Sequence, residues 1–317
     1  MFLILSILAG FMVALMIQLN GILQESAGAL SALLSIHLSG LAASVFLVLV
    51  IRNLSVKVFN SKGISHPRGN KVKENPVKKT PWYYLFAGMI GTAIVFLGNV
   101  SFLKGGILVS LSGFLAGQTL AATITESFYS KEREKTPLIQ RLLTPVFLIP
   151  GSLIIGLKEN ISLIWVLISW LPGFLLMIQQ NMNAGNTIRW GLPKTVLFNF
   201  ISALGLIIPL YFISSAGKSF VDSGIFLLKS LDNLPWYIFS GGGLIGVVTT
   251  GLIALLLLEA PALMVTMGIY TGELAGGIIL DLYGGNPLAP EKILAVLLLA
   301  AGLSTGKISM GQRKIEF

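Results

Sequence analysis

The chain has 317 residues, 54% hydrophobic and only 11% charged, with a mean hydropathy of +0.85. Soluble domains carry roughly a quarter of their residues as charges, so an ordinary soluble enzyme is excluded. The net charge of +9 does not point to nucleic acid, because eight of the 22 basic residues crowd between Arg52 and Lys79, as expected of a loop held on the cytoplasmic side of a membrane.

Apolar runs of about 20 residues, enough to cross a bilayer as helix, recur along the whole length. They are continuously apolar rather than alternating, which argues against strands and for helices, whose backbone groups satisfy one another in lipid. The pattern predicts an all-α integral membrane protein with ten spans, at 2–23, 29–51, 82–103, 106–128, 138–157, 161–184, 194–214, 236–258, 262–282 and 292–310. The first run has no basic residue before its apolar core and reads as a retained span, not a cleaved signal. With the N-terminus cytoplasmic, 17 basic residues fall inside and five outside, which places both ends of this multi-pass protein in the cytoplasm. The absence of cysteine excludes disulfides and thiolate metal sites, and two histidines make a poor metal centre. No cofactor or metal is expected.

The spans repeat. Gly10, Phe11, Asn20 and Ser39 recur 163 positions on as Gly173, Phe174, Asn183 and Ser202, and the Pro81–Tyr83 triplet PWY returns at Pro235–Tyr237. Gly91, Gly113 and Gly117 recur 155 positions on as Gly246, Gly268 and Gly272. In the same register GQTLAATITESF, from Gly117, aligns with GELAGGIILDLY, from Gly272, so Gln118 matches Glu273 and Glu126 matches Asp281. The chain therefore divides into a first five-helix repeat, 1–158, with its basic loop at 52–80, and a second, 159–317. Five spans is an odd number, so the second copy is expected to cross the membrane in the opposite sense, as an inverted 5+5 repeat.

The GQ…E and GE…D ends of spans four and nine, the Gln179-x-x-x-Asn183 pattern and the Ala260–Pro261 pair of EAPALM carry a resemblance. In these residues the chain resembles YdcZ-type inner-membrane exporters of the drug/metabolite transporter (DMT, EamA-like) superfamily, over nearly its whole length. Members are commonly single five-span chains, and this one looks like two of them fused. The resemblance implies an exporter in the cytoplasmic (inner) membrane. It departs from the family's pattern at Glu273, where relatives usually have Gln, and at Met16, which stands four before Asn20 where Gln is expected. His37 also stands where the second copy has Phe200.

On a helix, Tyr270, Glu273, Gly277 and Asp281 share a face, beside a stripe of Gly268, Gly272 and Gly276 that Gly113, Gly117 and Ala121 echo. Small residues at that spacing let helices approach closely in lipid, so this flank is expected to pack while the carboxylate flank faces a cavity. A carboxyl at mid-membrane without a basic neighbour must face water, find a partner or carry a proton. Glu273, with Tyr270 on its face and Gln118 at the matching position of the first repeat, is read as part of the substrate and proton pathway, the alternative being a protonated, hydrogen-bonded interhelical residue. Gln18, Asn20, Gln179, Gln180, Asn181 and Asn183 form two amide clusters near the ends of spans one and six, expected to line pathway entrances on opposite sides. Interhelical hydrogen bonding explains them equally well. Glu126 and Asp281 read as interfacial or gating residues, Glu259 as a cap or solvated turn residue, and His37, Asn99 and Asn199 as interior structural residues.

These features point to a secondary transporter of small metabolites or drugs by alternating access around a midplane site. No Walker motif GxxxxGK[ST] is present, so a gradient, of protons or of the substrate itself, must drive it. A lipid or prenyl-carrier flippase would use the same fold, whereas a membrane-embedded protease lacks its HExxH or serine–histidine signature. The expected partners are the bilayer, a small-molecule substrate and protons. A fused pair can complete alone the dimer that single-repeat relatives assemble, which leaves monomer and homodimer as alternatives.

Overall fold

The computed structural model describes residues 1–54, 81–129, 138–158, 161–214, 234–259 and 262–285, with 290, 293 and 297. Among these residues all regular structure is helical: α1 (Phe2–Ala27), α2 (Ala29–Leu54), a 3-10 turn (Trp82–Phe86), α3 (Ala87–Tyr129), α4 (Leu138–Lys158), α5 (Leu163–Trp190), α6 (Leu192–Ser214), α7 (Trp236–Glu259) and α8 (Ala262–Tyr283). Six helical stretches are long and apolar enough to cross a membrane. One of them, Trp82–Ile124, has 43 residues and is interrupted at Gly106; a crossing takes about 20 residues of helix, so this stretch is long enough for two. Most of the basic loop, the Ala260–Pro261 turn and nearly all of the expected tenth span lie outside the described residues.

The structure redraws several expected boundaries. Spans three and four, expected at 82–103 and 106–128, meet without a loop inside α3, at Gly106, where φ is 70° and ψ −176° and the helix is interrupted. A residue without Cβ adopts that conformation at little cost, so the chain changes direction there without a loop. The first and sixth spans run on past their expected ends to Ala27 and Trp190, and each is linked to the next helix by a single glycine. Gly28 and Gly191, 163 positions apart, have φ values of 81° and 78° and close the preceding helix by donating to the Gln24 and Thr187 carbonyls at 2.9 Å.

Glycines decide how the helices cross. A Cβ at Gly10 of α1 would overlap the Ile269 carbonyl of α8, and one at Gly272 of α8 would overlap the Ile7 carbonyl of α1. The same pair of contacts occurs between α5 and α3, where Gly173 sits on the Phe114 carbonyl and Gly117 on that of Trp170. Gly113 and Gly268 face Ser169 and Ser6, and Gly276 faces Ala14 and Phe11. A second kind of crossing sets Gly88 of α3 on Asn199 and Ser202 of α6, and Gly243 of α7 on Ile36 and Ser39 of α2. Every partner in the paired crossings is offset by 163 or 155 positions, the intervals of the sequence repeat. Backbone-to-backbone approach of this kind drives association where lipid offers no hydrophobic gain.

Large apolar side chains cover the outside, with Ile4 and Ile213 each 70% exposed and Phe46 68%, as a lipid-facing surface requires. Inside, an apolar cluster centred on Val13, Ile17, Ile94, Leu111, Phe114 and Ile269 ties α1, α3 and α8 together.

Candidate functional site

Six helical segments, from α1, α2, α3, α5, α6 and α7, surround a cavity of about 90 Å³. Its polar lining consists of carboxamides and hydroxyls contributed mainly by Asn20, Asn99, Gln179, Gln180, Asn183 and Asn199. The space is large enough for several waters, each of which needs about 10–15 Å³. Apart from Phe114 and Gly242, all 24 lining residues fall into pairs separated by 163 or 155 positions, such as Met16 with Gln179, His37 with Phe200 and Asn99 with Ala254. The cavity thus lies where the corresponding segments of the two repeats meet.

Glycines make room for the amides here as well. Gly91 of α3 accommodates the Gln179 side chain, and Gly242 of α7 accommodates that of Asn20. Gln179 Nε2 donates to Asn199 Oδ1 at 3.1 Å, joining α5 to α6. Asn20 Oδ1, Asn99 Nδ2, Gln180 Nε2 and Asn183 Oδ1 are buried without a hydrogen-bond partner. An unmet buried polar group costs about 1–3 kcal/mol, so this set calls for water or a ligand. Whichever way each carboxamide is turned, it offers both a donor and an acceptor.

His37 lines the cavity too, its ring edge-on to Phe200 with centroids 6.0 Å apart. Its Nδ1 donates to the Leu33 carbonyl at 2.8 Å, which leaves Nε2 as the acceptor of a neutral ring.

The structure separates the expected site residues into two groups. The amides Asn20, Gln179, Gln180 and Asn183, expected near the ends of spans one and six, converge on one cavity. The reason is the greater length of α1 and α5, which moves these residues from the helix ends toward the interior. Gln18 and Asn181 lie outside its lining.

Glu273 does not line the cavity either. It is fully buried where α8 crosses α3, and Gln118 Nε2 donates to its Oε1 at 3.3 Å. Glu273 Oε2 and Gln118 Oε1 have no partner, and the Tyr270 and Thr119 side chains meet beside them. The carboxyl flank faces α3 because the glycine flank of α8 is taken up by α1, leaving the other side to the matching glutamine of the first repeat. Asp281 is buried near the end of α8. The side chains of Glu126 and Glu259 lie outside the described residues.

Some lining residues carried no signal of their own. Thr249 and Thr250 sit in an apolar helix, and Thr249 Oγ1 bonds the Ile245 and Gly246 carbonyls, as threonines do in any helix. They could have been found only by carrying the 155-residue offset through to Ile94 and Val95. Asn186, also unflagged, donates from Nδ2 to the Tyr84 carbonyl at 2.8 Å and anchors the 3-10 turn.

Fold and cavity together define a multi-pass helical membrane protein with an interior chamber that is mainly apolar and carries a set of carboxamides. A family model described as "Putative inner membrane exporter, YdcZ" matches residues 1–154 and again 164–305, and the chain belongs to that family. Among curated proteins no match is found. A solved structure described only as "Crystal structure of protein" shares the fold, with a TM-score of 0.57 at 13% identity over 98% of this chain and 99% of that one. The protein is accordingly a membrane protein of an inner-membrane exporter family.

Proposed function

We propose that the chain is a secondary transporter that carries a small molecule across the cytoplasmic membrane by alternating access, with the cavity as its substrate site. The two repeats, ten spans in all, run in opposite senses, and both termini are cytoplasmic. The observation that carries this reading is the pairing of the lining residues at the repeat intervals. A site built on equivalent segments of two opposed repeats opens to one side when the helices rock one way and to the other when they rock back. Paired glycine contacts, with backbone against backbone, suit rigid helices that tilt as bodies. The exposed aromatic pairs Trp82–Tyr83 and Trp236–Tyr237 would then mark opposite membrane interfaces, where such residues collect.

The Glu273–Gln118 crossing is the place for proton coupling, which acts there through helix position because Glu273 lies outside the chamber. Among the described residues no ion pair accompanies Glu273, and a neutral carboxyl is far cheaper than a bare charge in such a place.

Untargeted mass spectrometry of the medium around cells producing the native chain or Gln180→Leu tests the proposal. The expected result is one or more small metabolites enriched outside cells with the native chain alone. Identical media from both strains would count against it.

A further inference from the structure

We infer that the molecule held in the chamber is uncharged: an amphipathic compound with an apolar body and a hydroxyl, carboxamide or similar neutral hydrogen-bonding group. The inference rests on the proposal that the chamber is the substrate site, and adds the chemical class of what enters it.

A membrane transporter commonly meets a charged substrate with a side chain of opposite sign or with the dipole of an interrupted helix. Among the described residues the lining has no Asp, Glu, Lys or Arg, and its one titratable side chain, His37, lies edge-on to Phe200 with Nδ1 donating to the Leu33 carbonyl. The buried carboxyl of Glu273 lies outside the lining, engaged by Gln118.

Helix ends are missing as well. The lining residues of α1 are Val13 to Asn20 within Phe2–Ala27, and those of α5 are Leu176 to Asn183 within Leu163–Trp190. Those of α7 begin at Gly242, six residues into Trp236–Glu259, and the break of α3 at Gly106 falls outside the lining. Among the described residues, the backbone amides and carbonyls around the chamber therefore belong to running helix. An ammonium, carboxylate or zwitterion moved here would surrender its hydration with nothing of opposite sign in return, at a cost of several kcal/mol.

What the chamber does offer is neutral and two-sided in character. Unpaired donors at Asn99 and Gln180 and unpaired acceptors at Asn20 and Asn183 suit a group that both donates and accepts. The pairs are unequal: Gln180, Asn199 and Thr250 of the second repeat stand against Ile17, Ile36 and Val95 of the first. Apolar and hydrogen-bonding surfaces are thus interleaved around the ligand, and the inequality gives it one preferred orientation.

The test is a thermal-shift measurement on the purified full-length chain with matched probes. Phenylacetamide, 2-phenylethanol and isovaleramide are the neutral members; phenethylamine, phenylacetate, phenylalanine and isovalerate are the charged ones. Ligands that bind the folded state raise its apparent Tm. At least one neutral probe is expected to do so at a concentration tenfold or more below any charged isostere, and Gln180→Leu or Thr250→Val should each abolish the shift. Stronger response to a charged probe that is lost in these variants overturns the inference and leaves the chamber as the site. A shift that persists unchanged in both variants puts the ligand elsewhere and overturns the underlying proposal. No shift with any neutral probe overturns the inference.

Discussion

Two buried polar regions lie within the same helix bundle, and they are built on opposite plans. The chamber has space, carboxamides and, among the described residues, no carboxyl, whereas the α3–α8 crossing has a carboxyl, a glutamine and a tyrosine packed tightly among helices. Both are formed by positions that correspond between the repeats. The difference teaches that a carboxyl in an apolar run, the feature that draws most attention in a membrane sequence, can belong to a packing contact. The chamber lining is composed of residues that are individually unremarkable for interior helices.

Substitutions can separate the two regions, beginning with the contacts that hold both in place. Gly272→Val and Gly117→Val put a side chain onto a facing backbone carbonyl, which no rotamer change relieves. Overpacking of this kind costs about 1–3 kcal/mol and often more. Both variants are expected to lose most folded protein, to similar extents, as read by monodispersity on size exclusion.

Next come two glutamines. Gln118→Leu removes the donor to Glu273 and should destabilise by about 1–3 kcal/mol. Gln180→Leu removes an amide nitrogen that has no partner, so its apparent Tm should be unchanged or higher while substrate export falls at least tenfold. A lower Tm for Gln180→Leu than for Gln118→Leu would erase the distinction between chamber and crossing.

Glu273→Gln keeps shape and hydrogen-bonding capacity and is expected to stay within about 1 kcal/mol of the native protein. Comparing its export with and without a pH gradient then sharpens the role of the crossing. If the gradient dependence matches that of the native chain, Glu273 is not the coupling group. The smallest effect belongs to Gly205→Ala in α6, where a Cβ meets open space. Helix propensity there should give a gain of at most about 1 kcal/mol, in contrast to the valines at Gly117 and Gly272.

Much of the architecture was legible beforehand. Continuous apolar runs define a helical membrane protein, and motifs such as Gln179-x-x-x-Asn183 carry the family. The glycine stripe of α8 was visible, as was its match to Gln118. The chamber was not, because it depends on six segments distant in sequence, and a hydrogen-bonding side chain inside an apolar helix looks the same whether it meets a neighbour or empty space. The direction in which Glu273 points was equally hidden. Periodicity places it on a flank of α8, but only the packing of α1 on the glycine side leaves that flank to α3.

The central claim is that one chamber opens alternately to the two sides of the membrane. The chain has no cysteine, so Thr250→Cys creates a single reporter in the lining. Treatment with a membrane-impermeant thiol reagent, applied separately to right-side-out and inside-out vesicles, should label it in both. Labelling from one face alone would contradict the account.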